Sequence, residues 1–169
     1  MERKQCNFRL LATYIYVACF AIYLFIGFQP VGAKNYEIIG RLNISSINLN
    51  TPVTSVQLEG KTLVAPDDII GAYSVNPTKT LLIAHSTTAF SNLSDIRLDD
   101  EIYYKNQLYM VTNLETLPKS SVDMQKVLDT ADKPTLVLMT CAGELLDHHD
   151  ATHRLLVTAE LSDKDVIIK

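Results

Sequence analysis

The chain has 169 residues, of which 47% are apolar and 20% are charged, and its formal net charge is −4. This length has room for one modest domain plus an appendage, and the apolar content is sufficient for a single core. Beyond residue 33 the chain carries 12 basic and 18 acidic residues. This acidic balance argues against a nucleic acid as a partner.

An uncharged segment of 19 residues runs from Leu10 to Phe28. It is long enough to cross a hydrocarbon core of ~30 Å as a helix. Three basic residues precede it and only Lys34 follows closely, which predicts a cytoplasmic N-terminus and an external remainder. A cleaved signal peptide is the alternative, but the run is longer than the usual apolar part of such peptides. We therefore expect a cytoplasmic tail and transmembrane signal anchor over residues 1–33, then a short tether over residues 34–43.

Short β signals recur through the rest of the chain, where we expect the main folded domain to span residues 44–169. Ile44–Leu49 and Val53–Leu58 alternate apolar and polar side chains, as strands with one buried face do. Ile69–Val75 predicts a weaker strand. Thr80–His85 is almost entirely apolar, which predicts a strand that is buried on both faces.

The middle of the chain predicts a hairpin and two short helical segments. Phe90–Ile96 is compatible with one or two helical turns. Glu101–Tyr104 and Leu108–Thr112 flank a short polar turn and predict a β-hairpin. Ser121–Leu128 has apolar residues at helical spacing, with a serine at its start available as the N-cap.

Two apolar, β-rich segments, Thr135–Thr140 and Arg154–Leu161, are separated by a polar loop. Cys141 is thus expected at the exit of one strand and Arg154 at the entry of the next. If these strands are neighbours, a thiol and a guanidinium meet at one end of a sheet, and the strand that ends in His85 can bring an imidazole there. Many short strands with few helices predict a small all-β barrel or sandwich.

Three side chains at strand ends predict a nucleophilic site. Cys141 is a candidate nucleophile, since a neighbouring base or positive charge raises the thiolate fraction. His85 can give and take a proton, and Arg154 can stabilise an oxyanion as a fixed charge. Taken singly, they could be a buried structural cysteine, a core histidine and a surface ion pair with Asp150 or Glu160.

These residues resemble the sortases, which are cysteine transpeptidases of the bacterial cell surface. The most specific part of the resemblance is the Thr-Leu-x-Leu-x-Thr-Cys pattern at Thr135–Cys141. Also similar are the segment Ser46–Val53 and the pattern from Phe90 to Ile102. The resemblance implies an eight-stranded β-barrel with one or two short helices, following the transmembrane helix, and a groove for a Leu-Pro-x-Thr-Gly-like sorting motif.

The resemblance also implies roles for individual residues. Cys141 would attack the Thr–Gly carbonyl of the motif, His85 would protonate the departing amine, and Arg154 would hold the acyl-enzyme. Thr140 and Ala84 would contribute to substrate binding in the groove. The implied partners are surface proteins that bear the motif and an amine acceptor on a peptidoglycan precursor or a pilin lysine.

The chain departs from the usual sortase pattern in several ways. Ala84 stands where sortases usually have glycine before the histidine. The segment Ile70–Pro77 has no carboxylate, so we expect no calcium dependence, and we expect neither a metal nor another cofactor. The expected tether contains no aromatic lid segment, and the sortase class stays open.

Two alternatives compete with this interpretation. Cys141 downstream of His85 loosely resembles the caspase-like cysteine proteases, but the chain lacks the alternating helices of that α/β fold. The second alternative is an extracytoplasmic metal-binding domain, whose ligands would come from the polar loop. There His149 and His153 are four residues apart, which suits two ligands on one helix face; a solvated polar loop is the simpler explanation.

Overall fold

The computed structural model describes residues 35–163, except Lys61 and residues 147–149. The expected anchor at residues 1–33 lies outside this part of the chain. Among the described residues, no helix has the length and apolar character needed to cross a membrane.

The described residues form ten strands and one short α-helix. The strands are β1 Ile38–Ile44, β2 Leu49–Ser55, β3 Leu58–Glu59, β4 Thr62–Leu63, β5 Ile70–Asn76, β6 Lys79–Ile83, β7 Glu101–Tyr104, β8 Gln107–Pro118, β9 Thr135–Leu145 and β10 Ala151–Leu161. The α-helix, α1, is Met124–Leu128, and 3-10 turns lie at Ser45–Ile47, Leu93–Asp95 and Lys119–Ser121.

Eight of these strands close a barrel in the order β1-β2-β5-β6-β9-β10-β8-β7. Pairing between β7 and β1 completes the ring. The pairs β2–β5 and β6–β9 are parallel, and the other neighbouring pairs are antiparallel. The expectation of an all-β, eight-stranded barrel with few helices is confirmed.

The barrel begins earlier than the sequence suggested. Residues 38–43, which we expected in a tether, belong to β1, which pairs with both β2 and β7. Ile44–Leu49 is not one strand, because a 3-10 turn at Ser45–Ile47 and a left-handed Asn48 (φ 53°) reverse the chain there. The apolar alternation in this segment therefore spans two strand ends and the turn between them.

The β7–β8 hairpin is confirmed. Its two loop residues, Lys105 and Asn106, both have positive φ (48° and 61°), as a two-residue type I′ turn requires. In α1, however, the side chain of Asp123 accepts the N–H of Gln125, so the N-cap is this aspartate and not a serine. The serines are part of the preceding 3-10 turn at Lys119–Ser121.

The strands β9 and β10 are longer than expected, and the loop between them is shorter. β9 continues past Cys141 to Leu145, which pairs with Ala151. Cys141 and Arg154 therefore lie within strands, not at their ends. The polar composition of this segment suggested a loop, but a two-stranded ribbon can expose polar side chains while its backbone groups remain paired.

Apolar residues form two layers, one on each face of the strands β6 and β9. Leu82 and Leu138 lie in the barrel interior. Leu81 and Val137 lie in a second cluster on the outer face, which we call the outer cluster. Its remaining buried members are Ile83, Val127 and Leu156. The expectation that β6 is buried on both faces is thus confirmed.

Candidate active site

Strand alternation fixes the face on which the cysteine lies. In β9, Leu136 and Leu138 pack in the barrel interior, whereas Val137 and Met139 belong to the outer layer. Since successive side chains point to opposite faces of a strand, Cys141 lies on the outer face, two residues after Met139.

The histidine and the arginine follow the same rule. In β10, Leu156 belongs to the outer cluster, so Arg154 shares its face. In β6, Leu81 and Ile83 belong to the outer cluster. His85 comes two positions after the end of this strand.

Strand register brings the three residues to one end of the barrel. Ile83 and Met139 are partners in the parallel β6–β9 pair, and His85 and Cys141 each follow two residues later. Cys141 and Arg154 are direct partners in the antiparallel β9–β10 pair. Directly opposed residues have Cβ atoms about 4.5–5.5 Å apart.

His85, Cys141 and Arg154 line one cleft of about 390 Å³. His85 and Cys141 are half-buried, and the arginine side chain is 16% exposed. The other lining residues are Thr62, Leu63, Val64, Ala65, Ile83, Ala84, Met139, Thr140 and Asp150. The three residues that the sequence singled out are therefore brought together, and their catalytic roles stay a prediction.

One wall of the cleft comes from the segment that contains the β3–β4 hairpin. Leu63 and Ala65 of this segment pack against the outer cluster. Gly71 of β5 permits the close approach, since a Cβ there would lie 2.7 Å from Val56 Cγ1 and 2.9 Å from Pro66 Cδ. The sequence analysis did not identify this wall, because the hairpin strands are only two residues long.

A buried hydrogen bond joins the residues that precede the histidine and the cysteine. The hydroxyl of Thr140 donates to the carbonyl of Ala84 at 2.8 Å. Both residues line the cleft, and they are only 5% and 4% exposed. The bond fixes the two chain segments that carry His85 and Cys141 relative to each other. Substrate binding by Thr140 and Ala84 stays a prediction.

The guanidinium of Arg154 is held by three oxygen acceptors. Its Nη1 donates to the carbonyls of Ala151 and His153, both at 2.9 Å. Its Nη2 donates to Asp150 Oδ1 at 2.6 Å. The ion pair with Asp150, considered from sequence as an alternative to a functional role, is formed, and it lies at the edge of the same cleft.

Asp150 binds a second cation as well. Its Oδ2 accepts a hydrogen bond from Lys119 Nζ at 2.5 Å. The bond from Lys119, followed by the bonds from Arg154 and from the Ala151 N–H, holds the pKa of the Asp150 carboxyl well below its ordinary value. Lys119 could not be found from sequence, because it reaches the site only through the β8–β10 register, in which Pro118 pairs with His153.

The metal-binding alternative depends on residues 147–149, which lie outside the described part of the chain. In that part, no three or more His, Cys, Asp and Glu side chains are grouped so as to hold a metal ion. His153 lies in β10, so the helical spacing on which that alternative relied does not apply to it. The all-β barrel also differs from the α/β fold of the caspase-like alternative.

This arrangement is suited to acyl transfer. A thiol can attack a carbonyl, an imidazole in the same cleft can transfer the proton, and a guanidinium can stabilise the negative charge on the carbonyl oxygen. The hydrophobic walls of the cleft lower its local dielectric, which strengthens such charge–dipole interactions.

Comparison with known proteins agrees with this chemistry. A family model described as the sortase domain matches residues 42–162, which is more than half of the chain. No curated protein matches the chain by sequence.

Solved structures with the same fold include several sortases. A lid mutant of sortase A from Corynebacterium diphtheriae matches with a TM-score of 0.61 and 24% identity, over 79% of this chain and 75% of that one. Sortase C1 from Streptococcus suis matches with a TM-score of 0.61 and 23% identity, over 78% and 76% of the two chains. Sortase C from Clostridium perfringens gives a TM-score of 0.57 and 22% identity, over 76% and 71%. At these identities the matches establish the fold.

Proposed function

This chain belongs to the sortase family of cysteine transpeptidases, and we propose that it cleaves a C-terminal sorting motif resembling Leu-Pro-x-Thr-Gly and transfers the acyl chain to an amine. The observation that carries the proposal is the single cleft lined by His85, Cys141 and Arg154. The acceptor would be an amine of a cell-wall precursor or of a pilin lysine.

In the first half-reaction, the sulfur of Cys141 forms a bond to the carbonyl carbon of the motif's threonine. The C–N bond to glycine breaks, and its electron pair leaves with the amine. The proton given up by the thiol passes through His85 to that amine, so that a thioester and a free amine result. Arg154 donates hydrogen bonds to the carbonyl oxygen while it carries negative charge.

The second half-reaction reverses these transfers with a new amine. The incoming nitrogen attacks the thioester carbon and loses a proton to His85. The C–S bond then breaks, and the proton returns to the sulfur of Cys141. The product is an amide, and the enzyme is restored without a metal or another cofactor.

The test is a peptide assay with the full-length chain. A library of Leu-Pro-x-Thr-Gly-like peptides is offered together with an oligoglycine or a lysine-containing peptide, and mass spectrometry follows the cleaved peptide, the transfer product and the acyl group on the enzyme. We expect an acyl adduct on Cys141 and no detectable turnover in the Cys141→Ala variant. Replacement of Cys6 and Cys19 by alanine is the matched control and should leave turnover intact.

Two results would contradict the proposal. One is cleavage that persists in Cys141→Ala, and the other is a wild-type chain that cleaves no member of the library. Cleavage without transfer to either amine would instead make the enzyme a hydrolase under these conditions and would exclude those acceptors.

We also propose that the chain is a single-pass protein of a bacterial cell membrane. The uncharged run Leu10–Phe28 and the basic residues before it support this topology, with the catalytic domain outside the cell. Protease added to intact cells should digest the domain but not an epitope fused to the N-terminus. Recovery of the chain in the soluble fraction after cell lysis would contradict an anchor that is retained.

A further inference from the structure

Three of the five N–H donors of Arg154 have acceptors within the described part of the chain. An arginine side chain has five N–H donors in a planar fork. Within the described part of the chain, two donors on Nη1 go to backbone carbonyls and one on Nη2 goes to Asp150. Among the same described residues, no acceptor is seen for the Nε–H and the second Nη2–H, which are the donors that a substrate carbonyl would use. The orientation of the planar group therefore decides where these last two donors point.

Of the three acceptors, only Asp150 is a side chain. The two carbonyls both accept from Nη1, so the backbone contacts are made at one nitrogen of the group. Within the described part of the chain, the carboxylate is the only acceptor at Nη2, and it therefore holds the side of the guanidinium that carries a remaining donor. Because it is charged and lies 2.6 Å from the nitrogen, it is also the strongest single acceptor of the three.

Asp150 is itself held in place from several directions. Its Oδ1 accepts the N–H of Ala151 at 2.9 Å, and its own carbonyl accepts the N–H of Leu146 at 2.8 Å. Its Oδ2 is bound by Lys119, which follows β8. The carboxylate thus connects Arg154 to the 3-10 turn that follows β8.

Lys119 also gives the site a net positive charge. Arg154 and Asp150 alone would form a neutral pair, which would weaken the attraction of the arginine for a developing oxyanion. With Lys119 bound to the other carboxylate oxygen, the three side chains together carry a net charge of +1. The positive potential that the reaction needs at this edge of the cleft is therefore retained.

We propose that Asp150, held by Lys119, is the positioning residue of Arg154: it anchors Nη2 so that the Nε–H and the second Nη2–H meet the substrate carbonyl. This inference rests on the proposed function. Asp150 itself exchanges no proton and forms no bond with the substrate.

The test combines kinetics with a probe that needs no substrate. Asp150→Asn keeps the shape of the side chain and removes its charge. We expect kcat to fall by on the order of ten- to a hundredfold with little change in KM, since a misplaced catalytic group mainly affects the transition state. Lys119→Met should give a smaller loss of kcat in the same direction. Lys119→Arg keeps the positive charge, so its kcat should stay near the wild-type value. Asp163→Asn, which removes an exposed pair with Lys133, is the matched control.

A double-mutant cycle asks whether Asp150 acts through the arginine. In an Arg154→Ala background, Asp150→Asn should cause little further loss. An equal fold-loss in both backgrounds would overturn the proposal, and so would a kcat within twofold of wild type for Asp150→Asn.

The second readout is the Nε–H resonance of Arg154 in the ¹⁵N-labelled full-length chain, assigned by its loss in Arg154→Lys. We expect it to shift and broaden in Asp150→Asn but not in Asp163→Asn. If no peptide is cleaved yet the resonance responds in this way, the positioning is supported and the proposed reaction fails. If peptides are cleaved and the resonance does not change in Asp150→Asn, the positioning fails and the proposed function stands.

Discussion

The two ends of the β6–β9 strand pair carry different polar residues and bury them to different extents. At the end where Lys79 pairs with Thr135, which we call the closed end, the threonine is 6% exposed and satisfied locally. Its hydroxyl donates to the Lys133 carbonyl at 2.8 Å, and its N–H donates to the Thr78 carbonyl at 2.7 Å. Thr135 also lines a cleft, of about 400 Å³, so the closed end is named for this local hydrogen bonding and not for a lack of space. At the opposite end, which we call the open end, His85 and Cys141 are half-buried and line the cleft of about 390 Å³.

The difference follows from where each strand stops. β6 ends at Ile83, whereas β9 and β10 continue together as far as the pair Leu145–Ala151. Beyond Ile83, β9 therefore has no paired strand along the edge that faced β6, while its other edge remains paired with β10. The open end thus combines a rigid ribbon with room for a substrate, and loops and strand ends on a rigid scaffold are where catalytic groups are usually found.

The largest effect that sharpens this comparison is expected from Arg154→Lys at the open end. An ammonium cannot reproduce the planar fork that binds Asp150 and the two carbonyls while keeping two donors for the substrate. We expect kcat for peptide cleavage to fall by about 10²–10³-fold, the range typical for loss of an oxyanion donor. The measurement is steady-state cleavage of the best library peptide.

The matched control for this substitution is Arg41→Lys. Arg41 also makes a side-chain and a backbone contact, both to Asn50, but it lies on β1 outside the cleft. Its kcat should stay within about twofold of wild type. Equal losses in the two variants would mean that arginine geometry matters only for the stability of the barrel, and the contrast between the two ends would break down.

A smaller effect is expected from a pair of threonine substitutions, one at each end. Thr140→Val removes the hydroxyl that donates to the buried Ala84 carbonyl, and leaving such an acceptor unsatisfied costs about 1–3 kcal/mol of unfolding free energy. Thr135→Val removes the corresponding hydroxyl at the closed end, where the acceptor belongs to the exposed Lys133, so the cost should be smaller, about 0.5–1.5 kcal/mol. Chemical denaturation measures both.

The two variants should differ in activity. Only Thr140→Val loosens the segments that carry His85 and Cys141, so its kcat should fall while that of Thr135→Val does not. A loss of kcat that follows the loss of stability equally in both variants would contradict the assignment of different roles to the two ends.

Much of the barrel could be predicted from the sequence, because alternation and apolar runs report directly on buried strand faces. This holds for β6, for the β7–β8 hairpin and for the apolar part of β9 and β10. Strand β1 could not be predicted, since its partners include β7, some 60 residues away, and nothing in the local pattern specifies that pairing. The extension of β9 beyond Cys141 was missed because its exposed residues are polar or lack alternation.

The candidate site was predictable in its three main residues and not in its supporting ones. His85, Cys141 and Arg154 each follow or occupy an apolar strand, so the pattern that locates the strands also locates them. Lys119 reaches Asp150 only through the long-range register of β8 and β10, and the β3–β4 hairpin reaches the cleft only through packing against the outer cluster. Local sequence carries no signal for contacts of that kind.

The smallest effect at neutral pH is expected from Tyr104→Phe near the closed end. The Tyr104 hydroxyl is buried, and within the described part of the chain no hydrogen-bond partner is seen for it. Removing an unsatisfied polar atom should therefore leave the free energy of unfolding unchanged or raise it by less than about 1 kcal/mol. Peptide cleavage should also be unaffected, because this residue does not line the catalytic cleft.

The same variant should separate from the wild type at alkaline pH. Burial, with a smaller contribution from Tyr109, raises the pKa of Tyr104 to about 12, above the ordinary value of 10. The folded state disfavours the ionised phenol. Titration of Tyr104 therefore leaves the free energy of unfolding unchanged below pH 10 and lowers it as the pH rises from 10 towards 12. Denaturation at pH 7, 10, 11 and 12 should show the wild type losing stability relative to Tyr104→Phe over this interval. A variant that is less stable than wild type by more than about 1 kcal/mol at pH 7 would contradict this prediction and would mean that the Tyr104 hydroxyl is hydrogen-bonded.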